Sequence, residues 1–379
     1  MKHIQYPILL CLYLVTGLAA FGQTPPVDLV NMSLGDLLNA KIVRSQFDSP
    51  AIAELSNGIK SDLSSDWFEA SRFHFSTSYT KVKFDGYMDG TKDLSFADVQ
   101  WDGNLPSRTD KNFPIVPTVI EQEATQFKTA YTLSDQVTLS LSIPYIRQSS
   151  EHISIVPNFD NFTIVSQGLG DVETAISWFK RLDENNHLLL SFGISLPTGS
   201  IDEKGDTPSP GPDNQLPYTM QLGSGTYDIK PSFHYFGSAG NWTYGADLNL
   251  TLRTGKNDRD YRLGNVYQSS IWSRYALTDW FEPSIRINGI AWDEISGRDP
   301  ALPYFESSPI NPYPAAVVKP DNFGGTKCLA LVGLRLKDPR GRLENTFLEL
   351  EAGAPFYQDL NGPQPSEDWR FSVSLVLSF

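Results

Sequence analysis

Cysteine is almost absent from the sequence, with 2 among 379 residues. One of them, Cys11, lies in a leading segment expected to be removed. The other, Cys328, then has no thiol to pair with, so no internal disulfide is expected. Long hydrophobic runs are missing too. No stretch reaches the roughly 18 apolar residues that a membrane helix needs, which excludes a helical membrane bundle. Cations are in deficit, 30 Lys+Arg against 44 Asp+Glu, for a net charge of −14. With no basic patch, nucleic acid is not an expected partner. No His, Cys, Asp or Glu cluster has metal-ligand spacing, so no metal and no cofactor are expected.

What is present begins with an export signal. Lys2 and His3 precede an apolar stretch, 8–20, that is too short to span a bilayer. Ala20, Phe21 and Gly22 put small residues at the −3 and −1 positions, so cleavage is expected before Gln23. Leu10 stands before Cys11 where lipidation requires a small residue, so a lipid anchor is not expected. Residues 1–22 are read as a signal peptide and 23–70 as a periplasmic segment, in which 33–39 can cap and start a short helix.

The last eleven residues alternate. Trp369, Phe371, Val373, Leu375, Leu377 and Phe379 are apolar, while Arg370, Ser372, Ser374 and Ser378 stand between them, with Val376 the one exception. Side chains alternate faces along a strand, so one wall is apolar. Outer-membrane barrels end in this way, and Phe379, Leu377 and Leu375 are the expected signal for the barrel-assembly machinery. The same period recurs at Leu188 to Leu196, Trp242 to Leu252, Val137 to Tyr145 and Cys328 to Leu336.

Twelve strands are expected: 72–84, 121–133, 137–147, 170–181, 187–197, 226–236, 242–254, 262–276, 280–292, 325–337, 343–353 and 369–379. The gaps between them alternate between short and long. The short ones are 134–136, 182–186, 237–241, 277–279 and 338–342. The long ones are 85–120, 148–169, 198–225, 255–261, 293–324 and 354–368. Short periplasmic turns and long external loops distinguish an outer-membrane barrel from a soluble sandwich. The expected fold over 71–379 is therefore all-β, a transmembrane antiparallel up-and-down barrel. Tyr131, Trp178, Phe179, Phe236, Trp242, Tyr275, Trp280 and Phe281 flank the short turns and are read as an aromatic girdle in the headgroup layer of the outer-membrane lipid.

Four stretches carry a further signal: GLGDVETAISWFKR (168–181), SLPTGSIDEKGD (195–206), LPYTMQLGSGTYDIKPSFHY (216–235) and LELEAGAPFYQDLNG with the terminal strand (348–379). Together they resemble the phenol meta-pathway outer-membrane family, transporters sometimes encoded with aromatic-degradation enzymes. The resemblance implies a barrel and uptake of small, hydrophobic or aromatic compounds, and it brings no catalytic residues with it.

Charged residues cannot face hydrocarbon cheaply, at about 2–4 kcal/mol for Arg or Lys at mid-membrane, so those at strand positions are expected to face inward. The candidate lumen-lining residues are Asp247, Asn249, Arg253, Arg262, Arg274, Glu282, Arg286, Lys327, Arg335, Glu349 and Glu351. Opposed acids and bases in a pore select permeants. In a closed structural barrel the same charges pair and hold the ring. A lipid-hydrolysing enzyme is the third reading: His74 and His234 share faces with Ser76 and Ser232, yet no G-x-S-x-G surrounds either serine. The expected function is passive uptake of a small-molecule permeant. Aromatics of the long loops, namely Trp101, Phe113, Tyr304, Phe305 and Tyr313, would form the apolar portal.

Overall fold

A computed structural model describes residues 73–103, 108–209, 211, 213–306, 308, 310–337 and 346–378. The signal peptide, Cys11, the 23–70 segment, the 338–342 turn and Phe379 lie outside the described residues. Twelve strands are numbered here: β1 Phe73–Gly90, β2 Ile115–Ser134, β3 Val137–Ser154, β4 Asn161–Leu169, β5 Val172–Arg181, β6 Asn186–Leu196, β7 Asp228–Ala239, β8 Trp242–Arg253, β9 Val266–Tyr275, β10 Phe281–Trp292, β11 Gly325–Lys337 and β12 Phe347–Ser378.

All but β4 pair in sequence as antiparallel neighbours, and β12 closes on β1. That ring has eleven members. An odd ring cannot be antiparallel throughout unless one member reverses direction. β12 is that member. Phe347 to Leu360 pairs with β11, and Gln364 to Ser378 pairs with β1. Leu360 lies opposite both Gly325 and Gly90, and Gly362, at φ 63°, supplies the left-handed residue for the reversal. The Gln358 amide reaches the backbone of Glu367 across the fold-back at 3.0 and 3.1 Å. The wall is therefore crossed twelve times, with β4 and β5 forming one broken crossing.

The interior is inverted relative to a soluble protein. Phe127, Leu139, Leu141, Phe192, Leu248, Ile285 and Val332 are exposed, while His74, Gln126, Glu173, Lys230, Asp247 and Arg286 are buried. A ring with apolar residues outside and polar residues inside is stable only when its outer face meets hydrocarbon. The band has an upper limit. Lys81, Glu121, Glu123 and Arg147 form outward-facing ion pairs of 3.0–3.5 Å across β1–β3, so hydrocarbon ends below them. Strands of 18 to 20 residues, against the roughly 9–11 that cross a bilayer, therefore project past the membrane at the loop end.

This projection corrects two of the expected loops. Most of 148–169 is strand, in β3 and β4, and 354–368 belongs to the β12 fold-back. The girdle also divides. Trp178, Trp242 and Trp280 are exposed, but Phe179 and Phe236 are buried and pack with Leu189 and Trp272 inside the turn end. Adjacent residues of a strand face opposite ways, so Trp178 and Phe179 cannot share a face.

β4 is the exception in the wall. Its one partner strand is β3, and among the described residues its other edge pairs with no strand. That edge is covered by side chains of the 197–227 loop: Ile164 packs on Leu216 and Met220.

Candidate functional site

The interior has two chemically distinct halves. The turn-end half is polar and charged, in three tiers. At the turn-end rim, Arg274 approaches Glu282 at 3.8 Å and Glu349 at 3.7 Å, Lys337 binds Glu282 at 2.6 Å, and Arg335 stacks 4.2 Å over Phe347. In the middle, Asp247 accepts from Ser270 (2.6 Å), Trp272 Nε1 (3.1 Å) and Arg286 (3.4 Å), and Arg286 Nε reaches Glu351 at 3.0 Å. Highest, Glu173 pairs with Lys230, Asp228 with Arg253, and Glu367 with both Lys327 and Arg370. Buried charge is tolerated when it is paired, and each tier sets its cations against carboxylates.

The loop-end half is apolar. Val82 and Phe84 of β1, Ile120 of β2, Val266 of β9, Trp292 of β10 and Leu329 of β11 turn inward into one cluster. Two loops fold into the mouth to cover it. One contributes Tyr218 and Leu222, the other Val317, Val318 and Phe323. Both enter as short 3₁₀ turns, Tyr218–Met220 and Ala316–Val318. Arg259 ties the cap together, reaching Asp202 and, at 3.5 Å, Asp299. Burial raises the Asp299 carboxyl above the ordinary carboxylate range, against the pull of Arg259. On the far side Arg108 lies 5.6 Å from the Trp101 and Phe113 rings and donates to the Asn311 and Tyr313 carbonyls at 3.2 and 2.7 Å. Of the five loop aromatics proposed as a portal, Phe113 is buried, Tyr304 and Phe305 are exposed, and Trp101 and Tyr313 lie between.

The family-like stretches meet at a third feature. At the β4/β5 break the buried Asp171 carboxylate accepts from Gly199 N (2.8 Å), Ser224 N (2.7 Å) and Ser224 Oγ (2.8 Å). Thr198 Oγ1 accepts from Val172 N at 2.8 Å, in place of the missing ladder bond. A side chain on Gly223 would overlap the Gly199 carbonyl, so the two loop segments touch through their backbones. The motifs in 168–181, 195–206 and 216–235 thus form a latch that fastens the covering loop to the wall. Their separation in sequence hides this, since only the pairing of a buried aspartate with two glycine-serine turns reveals it.

Asp247, Asn249, Arg253, Arg274, Glu282, Arg286, Lys327, Arg335, Glu349 and Glu351 are all buried on the inward-facing set. Arg262 is not with them. The strand expected from 262 starts at Val266, and Arg262 pairs with Ser296 in a two-residue ladder among the loops. Asp260, at φ 60°, and the close backbone approach of Gly264 to Asp293 turn the chain there, before the wall begins. At the terminal strand Leu375 pairs with Thr77 and Leu377 with Phe75. His74 meets Thr132 at 3.2 Å. His234 lies between Ser232 Oγ (3.0 Å) and Asp247 Oδ1 (3.1 Å), a nucleophile–base–carboxylate arrangement that the sequence reading set aside for want of a motif. Among the described residues no three metal-binding side chains converge.

Among solved structures, the COG4313 outer membrane channel from Pseudomonas putida F1 is 15% identical, with a TM-score of 0.55 over 82% of this chain and 96% of that one. The Pseudomonas putida toluene transporter TodX is 8% identical, with a TM-score of 0.38 over 94% and 98%. A Pseudomonas aeruginosa FadL homologue is 10% identical, with a TM-score of 0.38 over 81% and 90%. Only the first is similar enough to bear on the fold, and it shares the barrel. No curated protein matches the sequence. Residues 116–299, which include three of the four stretches that form or flank the latch and end before the fourth, match the family described as "Putative MetA-pathway of phenol degradation", so that the chain resembles this family in sequence and an outer-membrane channel in fold.

Proposed function

We propose that this protein is an outer-membrane channel for passive uptake of small hydrophobic compounds. The apolar loop-end half of the interior carries the reading. A ring that needed only to be held closed would be served by charge pairs throughout, as in the turn-end half. Instead, aromatic and aliphatic side chains line the inside where a solute would arrive. The likeness to an outer-membrane channel and to a family linked with phenol degradation supports the same reading.

In this reading the short turns are periplasmic, residues 1–22 are a cleaved signal, and 23–70 stay in the periplasm. Phe379, Leu377 and Leu375 address the barrel-assembly machinery. The ten inward polar residues named above form the lower path, and no enzyme activity or cofactor is involved. The test uses vesicles with a lipopolysaccharide outer leaflet, because plain phospholipid already passes small hydrocarbons. The mature chain from Gln23 should accelerate p-xylene influx and leave glucose at the rate of empty vesicles. No acceleration would leave a closed structural barrel, and equal acceleration of both would leave a general pore.

One observation favours a second reading, hydrolysis: the Ser232–His234–Asp247 relay. Against it, Asp247 spends its other oxygen on Ser270, Trp272 and Arg286. The channel reading expects no labelling by a fluorophosphonate. Labelling that disappears in Ser232→Ala would establish a hydrolase.

A further inference from the structure

Five polar atoms without a partner in the protein lie on strands β8 and β10 where the two interior halves join. They are Asn249 Oδ1, Thr251 Oγ1, and Nε and Nη2 of Arg253, on consecutive inward positions of β8, together with Trp292 Nε1 on β10. Thr251 lies opposite Val266 of β9, and Val266 lies opposite Trp292, so one register line crosses all three strands. The four polar-bearing residues are 1–4% exposed. Val266 and Trp292 already belong to the apolar cluster.

The chemistry of these atoms is specific. Arg253 Nη1 is bound to Asp228, so the charge of the guanidinium is balanced. Its free Nε and Nη2 form one edge of the fork, two parallel N–H donors that a single acceptor can bridge. Trp292 adds a third donor. Asn249 Oδ1 can only accept, and Thr251 can do either. An acceptor alone would leave Asn249 unmet, and a carboxylate would add uncompensated charge to a balanced pair. A hydroxyl satisfies both sides, because it accepts from Arg253 or Trp292 and donates to Asn249.

We propose that Asn249, Thr251, Arg253 and Trp292 form a subsite for the hydroxyl of a small neutral compound whose apolar body lies in the loop-end cluster. This rests on the channel reading above and adds a preference, among its small hydrophobic permeants, for those that carry a hydroxyl. A site built to hydrogen-bond a hydroxyl disfavours the analogue that lacks it, because its own polar groups are then left unpaired.

The test is titration calorimetry of the mature chain in detergent, against a detergent blank, with p-cresol and its near-isostere p-xylene. p-Cresol should bind at least about tenfold more tightly. Thr251→Val and Asn249→Leu should each weaken p-cresol about fivefold, the value of one hydrogen bond, and Thr251→Val should leave p-xylene unchanged. Neither variant removes an existing bond of the unmet oxygen, so both should keep the heat-modifiable gel shift of a folded barrel. Equal binding of the two compounds, or variants indistinguishable from the parent, overturns the subsite. Influx into lipopolysaccharide vesicles separates the two failures. If both compounds are accelerated equally in parent and Thr251→Val, the subsite is wrong and the channel stands. If neither is accelerated, the channel falls and takes the subsite with it.

Discussion

The two halves of the interior solve the same packing problem with opposite chemistry. Below, the ring is filled by ions that neutralise one another. Above, it is filled by Val, Ile, Phe and Trp, closed by loops that contribute more of the same. Both halves sit behind the same hydrogen-bonded wall, broken only at the free edge of β4 among the described residues, so the wall does not dictate the filling. The difference also separates two kinds of fragility. A charge is held by its partner, and losing one partner strands the other in a dry interior. An apolar residue is held by many weak contacts, and losing one leaves only a gap.

The sharpest way to break that comparison is Glu367→Leu. It strands Lys327 and Arg370, both buried, and should cost about 3–5 kcal/mol in denaturant unfolding of the detergent-refolded protein. A cost no greater than that of an apolar truncation would erase the distinction. Val82→Ala, in the apolar half, should cost about 1.5–3 kcal/mol by the same measurement. Asp171→Asn weakens the latch by about 1.5 kcal/mol, read as faster protease cleavage within 197–227 while the barrel still resists.

The smallest effect is a pH dependence confined to the cap. Asp299 has a folded-state pKa raised by burial, so the folded cap binds more protons than the unfolded one between the ordinary and the raised value. Stability therefore increases as pH falls through that window and is lost as pH rises through it. Arg259 and the Ala301 N–H face this carboxyl, Asp202 shares Arg259 with it, and the Tyr218 hydroxyl accepts from the Asp299 backbone N–H. Cleavage of the cap loops should slow on mild acidification, and Asp299→Asn should flatten the profile.

The strands within the membrane were legible because the solvent on each side differs. Lipid outside and polar filling inside force alternation, as at Trp242 to Leu252. The inward charges follow from the same rule. Beyond the membrane the outer face meets water, the alternation lapses, and the ladder of 148–169 continues through residues that read as loop. The cap was hidden for another reason. Ala315 to Val318 and Leu216 to Leu222 have no regular period, and only their descent into the ring makes them interior. Nor can a pattern of single residues show that Asp171 would face two glycine-serine turns 28 and 53 positions away.

The unpaired edge of β4 has a mechanical meaning. A wall of antiparallel ladders is stiff because any stretch shears many hydrogen bonds at once. At β4 the continuity is carried instead by one carboxylate, one threonine and a few aliphatic contacts. Strain imposed on the barrel, by bilayer tension or by a bulky solute pressing from within, will concentrate along that seam. Among the described residues the ring behaves as a rigid hoop with a compliant joint at β4, and Asp171 contributes to the stiffness of that joint.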